Sequence, residues 1–327
     1  MPYRYFIAAS LAVAVMVTGL WNTGAFAAEV SLKMVSMMPK KHPIGKSYNG
    51  FVTRLNKEFK GQFQIDWRGG PEVIQQFKQP NAVRIGSIDM TITSPSYANG
   101  ILSVSGAANY SNKSYEEVKA SGYLDYMAEL FAPKGLVYVG ELPVSQLKFH
   151  IYFNKVIKTI DEIKGLKIRV FPAISAAVNS LGATPVVLPM PAIYSAMERG
   201  IVHGFSTGVS GVAKQYKGLI KSYTEPGFYR AAFHILVNPK AWAKLSPGLQ
   251  KKVTKWIRNV EPPIYEASWN KGLKVGYKTL ADLNIKPVPF PPEVKKRFSR
   301  MVLEAAWNAV KKKAPKEGKR LQSMLMK

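Results

Sequence analysis

Residues 160–204 read IDEIKGLKIRVFPAISAAVNSLGATPVVLPMPAIYSAMERGIVHG. Asp161–Lys164 is a short helical turn, and the mostly apolar Leu166–Phe171 is a strand that carries Arg169 in its middle. Ile174–Leu181 follows as a helix, and Gly182 is placed as its left-handed terminator. Thr184–Leu188 is the next strand, Ala192–Arg199 the next helix, Gly200 its stop and Ile201–Phe205 a further strand. Strands and helices alternating across connections of two to six residues build βαβ units and a largely parallel sheet.

The flanks repeat this grammar. Val30–Val35 alternates as a strand, and Pro43–Phe59 is a helix with Tyr48, Phe51, Val52, Leu55 and Phe59 on one face. Phe63–Trp67 is a strand closed by Gly69-Gly70-Pro71, Glu72–Ile85 is helical, and Asp89–Thr93 is an apolar strand that runs into Ser94-Pro95-Ser96-Tyr97. Ser114 and Glu117 form a capping box that opens a helix to about Phe131. Strands Leu136–Val139 and Lys148–Phe153 lead into the central stretch. Beyond Ala231–Val237 the chain is helical, with Pro262-Pro263 interrupting a run from Pro247 to Leu283. A short strand at Ile285–Val288 and a helix from Pro291 to Lys313 complete it. Two α/β stretches, meeting near Gln146, indicate two lobes.

The 327 residues include 46 Lys plus Arg against 20 Asp plus Glu, a formal charge of +26, with 47% hydrophobic residues and no cysteine. That composition is globular, and it excludes disulfide scaffolds, thiolate catalysis and cysteine-ligated metal centres. Arg4, the apolar run Phe6–Val17 and Ala25-Phe26-Ala27 form a secretory leader cleaved after Ala27. The mature chain is therefore expected in the periplasm. The lysines are spread along the chain rather than massed, which reads as a solvated surface that draws small anions, with no nucleic-acid partner.

Gly204-Phe205-Ser206-Thr207-Gly208 matches the G-x-S-x-G nucleophile pattern. Before the histidines run out, only Glu225 and then His234 follow it, too close behind to complete such a hydrolase. His42, His150, His203 and His234 have no metal-ligand spacing, and no dinucleotide or phosphate-loop motif is present, so neither a cofactor nor catalysis is expected. Arg169 remains. A guanidinium inside an apolar strand needs an anion, and its fork fits a carboxylate. An internal acid would serve as well as a ligand, but acids are scarce in this chain.

Three ordered blocks carry a resemblance: Asp161–Val170 (DEIKGLKIRV), Leu181–Val186 (LGATPV) and Ile193–Gly204 (IYSAMERGIVHG). They resemble D-x-K-G-L-K-x-R, L-G-A-x-P-V and Y-x-A-L-x-x-G-x-V-D-G of the solute-binding proteins of tripartite ATP-independent periplasmic (TRAP) transporters. Gly69–Ile74 and Leu245-Ser246-Pro247 with Gln250–Val253 are similar to two further segments of the family. The resemblance implies an α/β, two-lobed periplasmic binding protein with two chain crossovers, a long bridging helix after Pro247 and a ligand cleft between the lobes. It implies lobes of residues 28–146 plus 233–272 and of 147–232 plus 273–327. It also implies a monomeric, non-enzymatic protein that delivers a small organic acid to membrane permease subunits.

Arg169 matches the arginine by which the family holds its substrate's carboxylate. Phe149 stands where many members have a second arginine. His203-Gly204 followed by Thr207 stands where many have Asp-Gly and then an asparagine facing the ligand. These departures imply a ligand with one carboxylate and an apolar or aromatic body. The remaining expected pocket residues are Trp67, Glu72, Ser94 and Tyr97 from one lobe and Phe171, Met190 and Ser206 from the other, with Glu72 turned to an amine or hydroxyl of the ligand or to Arg68. Two alternatives stay open: a secreted basic protein binding anionic polymers, and a ligand-sensing subunit of the same fold.

Overall fold

The computed structural model describes residues 29–326, so the leader and its cleavage site lie outside the described residues. Strands β1 (Val30–Ser36), β2 (Phe63–Gly69), β3 (Met90–Thr93) and β4 (Val137–Val144) belong to a first sheet. Strands β5 (Phe149–Phe153), β6 (Lys167–Val170), β7 (Thr184–Val187), β8 (Gly204–Gly208) and β9 (Ser222–Tyr223) build a second. The chain then returns: β10 (Ala231–Val237) inserts into the first sheet and β11 (Lys286–Pro287) joins the second. The orders are β2-β1-β3-β10-β4 and β11-β9-β5-β8-β6-β7. The chain thus passes from sheet to sheet between β4 and β5 and again between β9 and β10.

Within the first sheet β1 runs parallel to β2 and β3, while β10 is antiparallel to β3 and β4. In the second, β8, β6 and β7 are parallel, and β5 is antiparallel to β8 and β9. All seven residues of β10 are buried. Burial on both faces leaves it without apolar–polar alternation, and its one polar residue, His234, is buried too. Pro143 lies within β4, where a missing N–H is tolerated because β4 is an edge strand.

Several elements differ in extent from the sequence reading. The helix after Ser114 is two helices, Tyr115–Ala120 and Tyr123–Phe131, because Gly122 adopts φ 78° between them. The capping box at Ser114 is present. Helix within Glu72–Ile85 is confined to a 3₁₀ turn at Gln76–Lys78 and Gln79–Arg84. The strand expected at Ile201–Phe205 begins only at Gly204, whose α-carbon lies so close to β5 that a Cβ would sit 2.4 Å from the Tyr152 carbonyl oxygen. Pro262-Pro263 do not break the bridging helix. A π-turn at Trp256–Val260 precedes Glu261–Asp282 and brings the prolines into the first turn of that segment, where no N–H is needed.

The helix Pro292–Lys313 packs on the helix Ser175–Ser180 of the second lobe. A final helix, Pro315–Leu325, folds back on Pro292–Lys313 and also packs on Ala107–Tyr110 and Tyr123–Phe131, beside the first sheet. Ser111 Oγ donates to the Leu325 carbonyl at 2.6 Å, and the Arg320 guanidinium lies 3.8 Å from the centre of the Tyr126 ring. Buried Leu321 and Leu325 anchor this helix, which touches elements of both lobes.

Candidate functional site

The parallel strands β8, β6 and β7 end on the same side, and their carboxyl ends face those of β1 and β3. In open α/β sheets that is where ligands bind. Arg169 sits on β6 with a strand on either side. Its Nε donates to the carbonyl of Leu188, just past β7, at 2.8 Å, and its Nη1 donates to the carbonyl of Ser206 on β8 at 3.2 Å. Those two bonds fix the guanidinium in position and leave Nη2 for a partner.

Arg169 is 2% exposed, and among the described residues no acidic side chain comes within ion-pairing distance of it. Burial lowers the pKa of its guanidinium, against the opposing influence of the Tyr97 and Tyr216 hydroxyls. Arg230 provides the contrast within the same molecule. It is equally buried, but its Nη2 meets Glu141 Oε1 at 2.7 Å. Desolvating a charge costs several kcal/mol unless an opposite charge repays it, and among the described residues Arg169 has no such counter-charge.

A cavity walled mostly by apolar side chains adjoins it. Seven of the ten expected residues line this cavity: Arg169, Phe149, Ser94, Tyr97, Phe171, Met190 and Thr207. Phe149, Phe171 and Tyr229 form an aromatic cluster with ring centres 4.7 to 5.4 Å apart. The Tyr229 hydroxyl pairs with Ser94, and burial holds its pKa well above the ordinary value. No histidine, aspartate, glutamate or lysine is among the described lining residues. The cavity thus offers one fixed cation, a few hydroxyls and a largely apolar wall, and no group suited to general-base catalysis.

Trp67, Glu72 and Ser206 do not line it. Trp67 turns its indole N–H to the Gly69 carbonyl at 2.8 Å and to Ser36 Oγ at 3.0 Å. The exposed Glu72 accepts from the backbone N–H of Gly70 at 2.7 Å, and Arg68 pairs with Asp66 instead. Ser206 serves through its carbonyl. Its hydroxyl lies buried with no hydrogen-bond partner among the described residues, as expected when neighbouring Thr207 takes the cavity face. The G-x-S-x-G segment is β8 itself, with no turn at the serine.

The four histidines occupy four separate structural positions. His42 caps a helix, and His203 Nδ1 accepts from the Lys167 N–H at 3.0 Å. His150 Nδ1 donates to the Thr224 carbonyl at 2.7 Å, and His234 lies in the buried neighbourhood of Glu141.

Sequence reasoning missed Met37, Met38, Tyr229, Phe233, Ser210 and Trp269. Met37 and Met38 follow the carboxyl end of β1, so the rule that selected Ser94 and Tyr97 would have found them. Phe233 and Trp269 carry no local signal. They reach the cavity from a returning strand and from the bridging helix.

Residues 34–313 match the family described as bacterial extracellular solute-binding protein, family 7. A solute-binding protein of Roseobacter denitrificans is 21% identical over 254 residues, 74% of this chain and 77% of that one. A monocarboxylate 2-oxoacid-binding periplasmic protein of Nostoc is 25% identical over 237 residues, covering 68% and 64%. Among solved structures, a TRAP periplasmic solute-binding protein of Desulfovibrio salexigens with bound orotic acid superposes with a TM-score of 0.80 at 15% identity, over 90% of this chain and 97% of that one. A Bordetella pertussis extracytoplasmic solute receptor binding pyroglutamic acid gives 0.77 at 18% identity, over 90% and 99%. The fold is therefore that of the two-lobed TRAP receptors, and the chain belongs to the extracellular solute-binding proteins of family 7, which serve transporters and are not enzymes.

Proposed function

We infer that this protein is a periplasmic receptor that captures a small organic acid between its lobes and delivers it to the membrane permease of a TRAP transporter. The ligand is a monocarboxylate with an apolar or aromatic body. One observation carries the reading: Arg169 is a buried, pre-oriented guanidinium without an internal carboxylate, set in a mostly apolar cavity. Phe149 in place of a second cation argues for a single carboxylate. The acids named for similar proteins agree in class: orotic acid, pyroglutamic acid and acetolactate in three solved structures, and 2-oxoacids for the Nostoc relative. In this reading the leader is removed after Ala27, the protein acts as a monomer, and hinge motion at the two sheet crossovers closes the lobes.

A thermal-shift screen of the mature protein against organic acids tests it. A ligand at 100 times its Kd adds about 2.7 kcal/mol and raises the melting temperature by degrees. Arg169→Ala is expected to abolish the shift, a loss of about 2–5 kcal/mol in binding. The variant itself should melt no lower than the natural protein, because an unpaired buried charge has been removed. Silence toward every monocarboxylate would overturn the reading. Binding of heparin-like polymers that collapses with added salt would favour the anionic-polymer alternative instead.

A further inference from the structure

A second hollow, open to solvent, lies beside the ligand cavity between the helix Pro43–Glu58 and the bridging helix. Its wall carries the polar side chains of Lys46, Ser47, Arg54 and Ser268. Two residues line both spaces, Ser210 and Trp269. Trp269 is 5% exposed, and its indole lies 6.3 Å from the Phe233 ring, which faces the ligand cavity.

The helix that carries Trp269 is seated firmly. Two turns further on, Gly276 lies against the Val209 carbonyl oxygen, where a Cβ would approach to 2.8 Å. That close approach holds the Trp269 face of the helix over the segment leaving β8. The partition between the two spaces is therefore a rigid aromatic plate and not an adaptable chain.

We propose that Trp269 is a length gate, a specificity-determining residue that ends the ligand cavity and shuts off the polar hollow behind it. The proposal rests on the carboxylate reading: with the acid group pinned at Arg169, the remainder of the ligand must fit within the space the indole bounds. Short acids fit, and longer ones meet the plate. Removing the indole joins the hollow to the cavity and extends the range of lengths accepted.

The test is calorimetry on the mature protein with benzoate, phenylacetate, 3-phenylpropanoate and 4-phenylbutanoate. One methylene too many in a fixed apolar pocket is worth about 10- to 200-fold. The natural protein should therefore bind the longest member at least about tenfold more weakly than its optimum. Trp269→Ala should recover that loss relative to the shorter acids. Gly272 lines only the hollow, and a Cβ there meets nothing within 4 Å. Gly272→Phe alone should leave the series unchanged, and combined with Trp269→Ala it should cancel the recovery.

A length profile unaltered by Trp269→Ala overturns the gate, as does a recovery that survives Gly272→Phe. Trp269→Leu keeps an apolar anchor beside Phe233 and carries the same expectations if the alanine variant does not fold. If the natural protein binds none of these acids nor any other monocarboxylate, the carboxylate reading fails and the gate fails with it. If it binds them with no dependence on length, only the gate fails.

Discussion

Arg169 and Arg230 show how identical side chains at equal burial acquire different roles. Arg230 finds Glu141 inside the chain and becomes structural. Arg169 spends two donors on the Leu188 and Ser206 carbonyls and keeps the rest of its fork toward the cavity. A lysine could not bridge those carbonyls and still present a second donor pair, so Arg169→Lys should bind nearly as poorly as Arg169→Ala. In the proposed function, Phe149 sets the charge demanded of the ligand by not being a cation. Phe149→Arg is therefore expected to raise the affinity for succinate relative to butanoate by about tenfold or more, read by calorimetry on both acids. An unchanged ratio would show that the single-carboxylate preference originates elsewhere.

At the level of elements, the cavity exists because two sets of strand ends face one another and are tied across the gap. Gln76, in the 3₁₀ turn after β2, anchors its amide nitrogen to the Met37 carbonyl at 2.6 Å. Its amide oxygen accepts from the Met190 N–H at 3.2 Å, at the turn that follows β7. One side chain thus joins the two lobes at the cavity's edge. A net hydrogen bond is worth about 0.5–1.5 kcal/mol, so Gln76→Leu should speed ligand release about 2- to 13-fold. Association should change little, because the latch forms only once the lobes have met. Stopped-flow tryptophan fluorescence with a bound acid measures both rates.

Across the whole molecule, the two lobes are joined by the sheet crossovers, the bridging helix and the last helix, and one of these joints is sensitive to acid. His150 on β5 donates from Nδ1 to the Thr224 carbonyl and accepts at Nε2 from the Tyr277 hydroxyl of the bridging helix at 2.9 Å. Burial lowers its pKa to about 4, although the Thr224 bond pulls the other way. His234 is lowered to about 3, by burial and then by Arg230. In the unfolded chain both return to about 6.5. The native state thus holds fewer protons than the unfolded state below that value. Stability is complete above pH 6.5 and falls as the pH drops toward 4 and then 3. Thermal melts from pH 8 to 4 should show a plateau and then a decline, and His150→Asn should flatten the upper part of that decline.

Most of the reading of residues 160–204 matches the structure, the late start of the strand at Gly204 apart, because helix stops and strand alternation are local: Gly182 and Gly200 take φ of 75° and 67° as their positions require. Arg169 was legible for a related reason, since a guanidinium in an apolar strand announces an unmet charge whatever surrounds it. Trp67, Glu72 and Ser206 lie within or shortly after strands, yet their side chains do not line the cavity. Direction at a strand end depends on twist and on neighbouring carbonyls that no local pattern specifies.

Phe233, Trp269 and the final helix lay beyond such reasoning, because burial in a core and burial against a cavity look alike in sequence. By itself, then, the sequence determined the family, the alternation of strands and helices, and an arginine set in an apolar strand, since each depends on neighbours a few residues away. Only the tertiary structure decided how that arginine is held, what walls the cavity and where the last helix packs, because those depend on contacts between segments scores of residues apart.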